Sequence, residues 1–323
     1  MVFTLATTAS ADTKTKTDNI APMFASNDIL DVTIRAPFTT IMRERSIDED
    51  QPATLTYNDA EAGEITVELD IRTRGRFRRL PSTCKWAPLR LSFKKSSVKE
   101  SVFAGSRKMK LVTHCRNGSV VYSQALLSEH LAYRIFNLLT DASFRVRLMR
   151  VTYVDTDKND RENTEFAFLI EHKKQVAKRI GLKVNDTPST EIGNLDGPHT
   201  NLSSLFQYLI GNTDFSPIRA APYDCDMSGI VDAPHSAPSP NFNLRNVRQR
   251  LYRGRCANNE HIAASVQTFI DRKDGIYDLV TSNELYRSNI RRETLRFLDE
   301  FYRIIESPKM VQSQLVSKCV GAD

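Results

Sequence analysis

The sequence predicts an α+β protein of two lobes, β-rich over residues 27–170 and mainly α-helical over residues 171–323. Three observations predict it. Through most of the first half, apolar residues alternate with period two, the signature of half-buried strands. Through most of the second half they recur at i, i+3, i+4 and i+7, the signature of amphipathic helices. Beyond the junction lies Gly211–Gly229, GNTDFSPIRAAPYDCDMSG, which sets Asp214, Asp224 and Asp226 among turn-formers. A loop acid followed by an acidic pair suits a divalent cation and a phosphate group.

In chain order, residues 1–26 read as a disordered tail or the remnant of an export signal. Residues 12–22 are polar and rich in Thr, Lys and Asp. Before them, MVFTLATTASAD holds a short apolar run and then Ala9-Ser10-Ala11, a small-x-small pattern like a signal-peptidase site, with no basic segment ahead of it. LDVTIRAPF, EITVELDIRTRG, PLRLSF and KMKLVTHC alternate and predict four strands of an antiparallel sheet. Ser123–Leu139 follows with Leu127, Leu131, Ile135 and Leu138 at helical spacing and Ser123 as the N-cap. RVRLMRVTYVDT returns to alternation, and EFAFLIEHKKQVAKRIG predicts a strand running into a helix. Asn201–Ile210 predicts a helix stopped by Gly211. Asp-Cys-Asp at 224–226 predicts a short strand with both acids on one face. Residues 182–199 and Ala233–Pro240 read as loops, and HIAASVQTFIDRK and NELYRSNIRRETLRFLDEFYRIIES as C-terminal helices.

The net charge of +6 is compatible with anionic ligands and peaks locally at Arg72, Arg74, Arg76, Arg78 and Arg79. Nucleic acid is not expected as a partner, because aromatic interleaving in that patch is limited to Phe77 and no recognition helix is evident. No apolar run approaches the roughly 18 residues of a membrane span. No G-x-S-x-G motif speaks for a hydrolase. The five cysteines form no C-x-x-C pair, which argues against structural zinc. Disulfides Cys84–Cys115 and Cys256–Cys319 would suit an exported, periplasmic or secreted protein and leave Cys225 odd. Five buried free thiols in a cytosolic protein are the alternative.

Four blocks then follow one another between residues 65 and 232: DIRTRGRFRRLPSTCKWAPLRLSFKK, EFAFLIEHKKQVAKRIG, GNTDFS and PYDCDMSG. In that order they resemble the R-x-R-G…P-x-R-L-x-F, G-x-Y-x-L-x-E, N-x-D and P-x-D-x-D segments of the CotH (spore-coat protein H) kinase-like family, especially its uncharacterised exported bacterial members. The resemblance implies an atypical two-lobed protein-kinase-like fold. It further implies binding of ATP with Mg²⁺ or Mn²⁺ and phosphoryl transfer to a protein or other hydroxyl acceptor. Asp214 would orient the accepting hydroxyl, and Asp224 and Asp226 would hold the metal against the phosphates. Arg90, ahead of Lys110, would supply the phosphate-contacting cation and pair with Glu129 on the helix. Arg74 and Glu171, each in a matching block, complete the cofactor-binding set. One departure stands out. Only nine residues, Phe215 to Tyr223, separate Asp214 from Asp224, and the His-and-Asn segment that relatives carry there is missing. The alternative implied by that loss is a non-catalytic, pseudokinase-type binding protein of the cell envelope.

Overall fold

The computed structural model describes residues 20–184, 196–215 and 221–321. Seven strands form one closed barrel: β1 (Leu30–Ala36), β2 (Gln51–Asp59), β3 (Gly63–Thr73), β4 (Leu89–Phe93), β5 (Lys108–Val112), β6 (Val146–Asp155) and β7 (Arg161–Ile170). Their order around the barrel is β1-β2-β3-β4-β5-β7-β6. Closure comes from β1 and β6, which pair in parallel from Leu30↔Met149 to Ala36↔Asp155. All other neighbours are antiparallel.

This overturns the expectation of a two-lobed, kinase-like fold with a β-rich N-lobe and a mainly α-helical C-lobe. The cause lies in the strands themselves. The inward series Val32, Ile34, Leu55, Val67, Leu69, Leu91, Leu111, Val151 and Leu169 fills one continuous core, and such side chains each contribute roughly 1.5–3 kcal/mol on burial. A sheet left open would expose the unpaired backbone of β1 and β6, which closure removes. The strand that completes the circuit, β2, has its own alternation at Ala53, Leu55 and Tyr57 but carries Pro52 as its second residue and ends with Asn58-Asp59, residues that read as turn-formers. The barrel's end is plugged by a 3-10 turn over Pro22–Phe24, where Met23 and Phe24 are buried. Arg147 donates to the carbonyl of Ser26 at 2.9 Å and holds that plug. The tail expected over residues 1–26 is therefore packed from Met23 onward, while its cleavage-like Ala9-Ser10-Ala11 lies outside the described residues.

Eight helices are described: α1 (Phe38–Glu44), α2 (Val120–Leu139), α3 (Lys173–Arg179), α4 (Gly197–Ile210), α5 (Ile262–Asp271), α6 (Lys273–Thr281), α7 (Ser288–Ile305) and α8 (Pro308–Gln314). The outer faces of β6 and β7 are apolar as well, at Leu148, Phe168 and Ile170. There they share a second core with α2 (Leu127, Leu131, Ile135), α4 (Leu205, Phe206, Leu209) and α7 (Phe297, Leu298, Phe301). A helix from within the strand series and helices from after it thus bury one common surface. α2 starts at Val120 behind Ser119 rather than at Ser123. α4 begins at Gly197, where the Asp196 side chain accepts from the His199 backbone at 3.0 Å, so the first turn is capped.

Both suggested disulfides are formed, Cys84–Cys115 and Cys256–Cys319, and Cys225 is free and buried. Among the described residues, no helix is long and apolar enough to cross a membrane.

Two buried histidines give the fold a pH dependence. Burial lowers His114 to about 4, against the opposing pull of its hydrogen bond to Asn117 and with the Arg78 charge adding to the drop. Burial and the Arg134 charge lower His130 to about 3. The unfolded chain binds protons at both imidazoles below about pH 6.5, and the folded chain does not. Their contribution is therefore complete above pH 6.5 and is lost as pH falls through 4 and then 3, at about 1.4 kcal/mol per pH unit for each proton. Denaturant midpoints measured from pH 7 to 4 are expected to fall with acidification. His130→Leu should flatten the fall; an unchanged slope in that variant would refute the assignment.

Candidate functional site

The loop after β3 carries the basic patch, and Arg45 fixes its course. Arg45 ends α1 in the left-handed region at φ 51, and its buried guanidinium donates to the carbonyls of Met42, Arg79, Cys84 and Lys85. That anchorage turns Arg78 inward. Its Nη1 lies 3.1 Å from Glu129 Oε2 and 3.8 Å from Asp226 Oδ2, and its Nη2 donates to the Thr113 carbonyl at 2.6 Å. The partner of Glu129 is therefore Arg78, not Arg90 or Lys110 as expected. Arg90 and Lys110 lie on outward-facing positions of β4 and β5, whereas Glu129 is buried under the loop.

The Asp-Cys-Asp run is not a strand. Asp224 takes a left-handed backbone, φ 68, with its N–H donated to Tyr133 Oη at 3.0 Å. This reversal breaks the alternation: Asp224 is exposed and Asp226 is buried, so the two acids do not share a face. Asp226 is met by His235 Nε2 at 3.5 Å as well as by Arg78. Burial would raise the Asp226 carboxyl, but His235 and Arg78 together hold it below the ordinary carboxylate range. At Asp224, displaced water and then the neighbouring Asp226 charge raise the carboxyl, over the opposing pull of Arg74, Arg78 and Lys110. Burial lifts Glu129 furthest, to about 8, with Asp226 and Asp224 adding to it and Arg78 and Arg74 opposing. Because that value lies above the unfolded one, the contribution of Glu129 is full below about pH 4.5 and is lost as pH rises through 8.

Tyr223 joins the acidic segment to the barrel. Its hydroxyl accepts from Arg74 Nη2 at 2.5 Å, and Lys110 Nζ stands 3.8 Å over its ring. The register places Arg72 opposite Arg90 and Arg90 opposite Lys110 on β3, β4 and β5, three cations abreast on the outer face. Arg72 is paired with Asp50 at 3.3 Å, whereas Arg90 makes no ion pair among the described residues.

Asp214 is exposed just beyond α4, its N–H donated to Asn212 Oδ1 at 2.9 Å. It lines one cavity of about 380 Å³ together with Asp224. Arg253 fixes this corner by donating to the carbonyls of Thr213 and Phe215 at 2.8 and 3.1 Å. Glu171 is elsewhere. Its carboxylate is buried and taken up in a two-point pair with Arg179, at 3.2 Å from Nε and 2.9 Å from Nη2, and accepts the Arg145 N–H at 3.0 Å. It ties α3 to the end of β7, away from the cavity lining.

The structure thus brings together Asp214, Asp224, Arg74 and Lys110, sets Arg90 beside them, turns Asp226 and Glu129 inward to Arg78, and removes Glu171. Arg78, Tyr223 and Arg253 were given no role by sequence reasoning, although Arg78 lies in the arginine-rich loop; His235, which flanks the acidic segment in the sequence, does approach it at Asp226. Among the described residues, Cys84, Cys115 and His235 are a trio with ligand atoms within 4.8 Å of one another. Both sulfurs are bonded to each other and offer no thiolate. Neither a protein-family model nor a curated protein matches the chain.

Proposed function

We propose that the protein binds a nucleotide polyphosphate with a divalent cation and transfers a phosphoryl group to a hydroxyl acceptor. The observation that carries this reading is the row Arg72, Arg90, Lys110, which meets the acidic segment at Tyr223 beside Asp224. Arg90 and Lys110, with Arg74, would neutralise phosphate oxygens. Asp214, on the rim of the same cavity as Asp224, would accept the proton of the attacking hydroxyl as its oxygen bonds to phosphorus and the bond to the leaving diphosphate breaks. The donor set fits Mg²⁺ or Mn²⁺, which need only one or two carboxylates beside phosphate and water. The carboxylate of Asp224 is disfavoured by displaced water and then by Asp226, a condition that a dication would relieve; Asp226 would be the second oxygen donor on leaving Arg78 and His235. When bound, the cation would supply charge neutralisation at the phosphates. The CotH resemblance in the arginine-rich, Asn-x-Asp and Asp-x-Asp blocks supports this chemistry, without its fold. Two disulfides and the small-x-small run support export.

A second reading, nucleotide binding without transfer, is favoured by the hold of Arg78 and His235 on Asp226. The test incubates the purified chain with γ-labelled ATP and Mg²⁺ or Mn²⁺, beside Asp224→Asn, a substitution that tolerates the left-handed backbone. Label transfer that falls to background in the variant is the expected result. A nucleotide-dependent rise in melting temperature without transfer would favour the second reading, and no shift with any nucleotide would overturn both.

A further inference from the structure

α4 is buried nearly all round, yet one stripe of it is polar: Thr200, Ser203, Ser204 and Gln207, spaced i, i+3, i+4 and i+7. This stripe forms a wall of the 380 Å³ cavity whose mouth carries Asp214 and Asp224. Polar side chains at such depth ordinarily find partners. Gln207 Oε1 and Ser203 Oγ have none among the described residues, although the two residues are only 3% and 8% exposed. Ser204 has spent its proton on the Thr200 carbonyl at 2.8 Å, so its oxygen has only lone pairs left to offer. Gln207 Oε1 and the two carboxylates also accept only.

The lining is therefore rich in acceptors, with the Ser203 hydroxyl still able to donate, and asks for a ligand with several closely spaced donors beside an acceptor. Among the described residues it holds no Lys or Arg, so the chamber suits phosphates less well than the outer barrel face with Arg72, Arg90 and Lys110. Nor is it a strongly anionic trap for a polyamine, since Arg253 stands by Asp214, and Arg74 and Lys110 act on Asp224. Phe215 adds an apolar wall. Hydroxyl donors on a ring with apolar C–H edges satisfy every part of this description. We propose that the chamber binds a neutral polyhydroxylated ligand, a sugar, through Gln207, Ser203 and Ser204, with one hydroxyl presented to Asp214. That this hydroxyl is the phosphoryl acceptor rests on the function proposed above; the binding itself does not. On that reading the hydroxyl proton passes to Asp214, the new oxygen–phosphorus bond forms, and ADP leaves with the electrons of the broken bond.

The test is saturation-transfer NMR on the full chain, without nucleotide or metal, against glucose, galactose, xylose, N-acetylglucosamine and glucosamine. Transfer to at least one neutral sugar is expected, weakened about ten-fold or more in Gln207→Leu because an apolar group cannot accept the ligand's hydroxyl. Ser203→Ala, a smaller change, gives the same reading should Gln207→Leu fail to fold. No signal from any neutral sugar at millimolar concentration, a signal undiminished in both variants, or a signal from glucosamine alone would overturn the proposal. Nucleotide binding without a sugar signal would overturn this assignment and leave phosphoryl transfer standing. Sugar binding without a nucleotide-dependent shift would do the reverse.

Discussion

Arg78→Met is expected to cost about 3–5 kcal/mol of folding stability near pH 9, the range for removing one partner of a buried ion pair. Near pH 6 it should cost only about 1–3 kcal/mol, the range for an unsatisfied buried polar group. The difference comes from Glu129. Its carboxyl titrates at about 8 in the folded protein with Arg78 holding it down, so at pH 9 the variant must keep a buried carboxylate facing Asp226 without a guanidinium or take up a proton against the solvent pH. At pH 6 Glu129 is protonated, so the variant loses hydrogen bonds there, and Asp226 loses the nearby guanidinium but keeps its contact with His235. The Thr113 carbonyl loses its donor at either pH. Adding Glu129→Leu should recover most of the loss at pH 9, since two apolar groups replace the pair together. Urea unfolding at the two pH values measures both effects. Equal losses at pH 6 and 9, or no recovery in the double variant, would show that Arg78 is not what compensates Glu129.

Replacing Cys256 and Cys319 by Ala should cost about 4 kcal/mol by the chain-entropy relation, given their sequence separation of 63. The bond joins the segment before α5 to the chain beyond α8, enclosing the four helices that complete the second core. Backbone contacts at the same place, Cys256 N–H to the Val320 carbonyl at 3.2 Å and Val320 N–H to Gly254 at 2.8 Å, depend on the ends being held together. The Cys84–Cys115 bond, with a separation of 31, should contribute about 0.6 kcal/mol less, because loop entropy changes slowly with length. Denaturant titration of each double-Ala protein tests the size and the order. A loss below about 1 kcal/mol for the 256–319 pair would mean that the helices close without the bond.

Individual elements were readable from the sequence where one periodicity dominated. KMKLV became β5, LDVTIRA became β1, and Leu127, Leu131 and Ile135 face the core from α2. Closure of the barrel was not readable, because it depends on β1 meeting β6 more than a hundred residues away, and alternation looks the same in an open sheet and a closed one. At the site, Asp214 and Asp224 were found as acids in a turn-rich segment. What escaped was their orientation: the positive φ of Asp224 sends it outward and Asp226 inward, and no residue-type pattern encodes that reversal. The pairing of Arg78 with Glu129 depends on Arg45 gathering four carbonyls, a long-range effect equally silent in the sequence.

Gly211 and Gly229 lie back to back. Gly229 N–H donates to the Gly211 carbonyl at 3.2 Å, and Ile230 N–H to Ile210 at 2.9 Å. A Cβ on Gly229 would fall 2.6 Å from the Val247 carbonyl oxygen, so no other residue fits there without moving the backbone. The acidic segment is thus fastened here as well as by Arg253 at Thr213 and Phe215 and by Tyr223 at the barrel. Chain added or removed between such fixed ends changes closure entropy only logarithmically and transmits little to α4 or to the helices beyond. The span from Phe215 to Tyr223 is for that reason the place where this architecture can vary its length, and with it the reach of Asp214 and Asp224, while the rest of the molecule stays as it is.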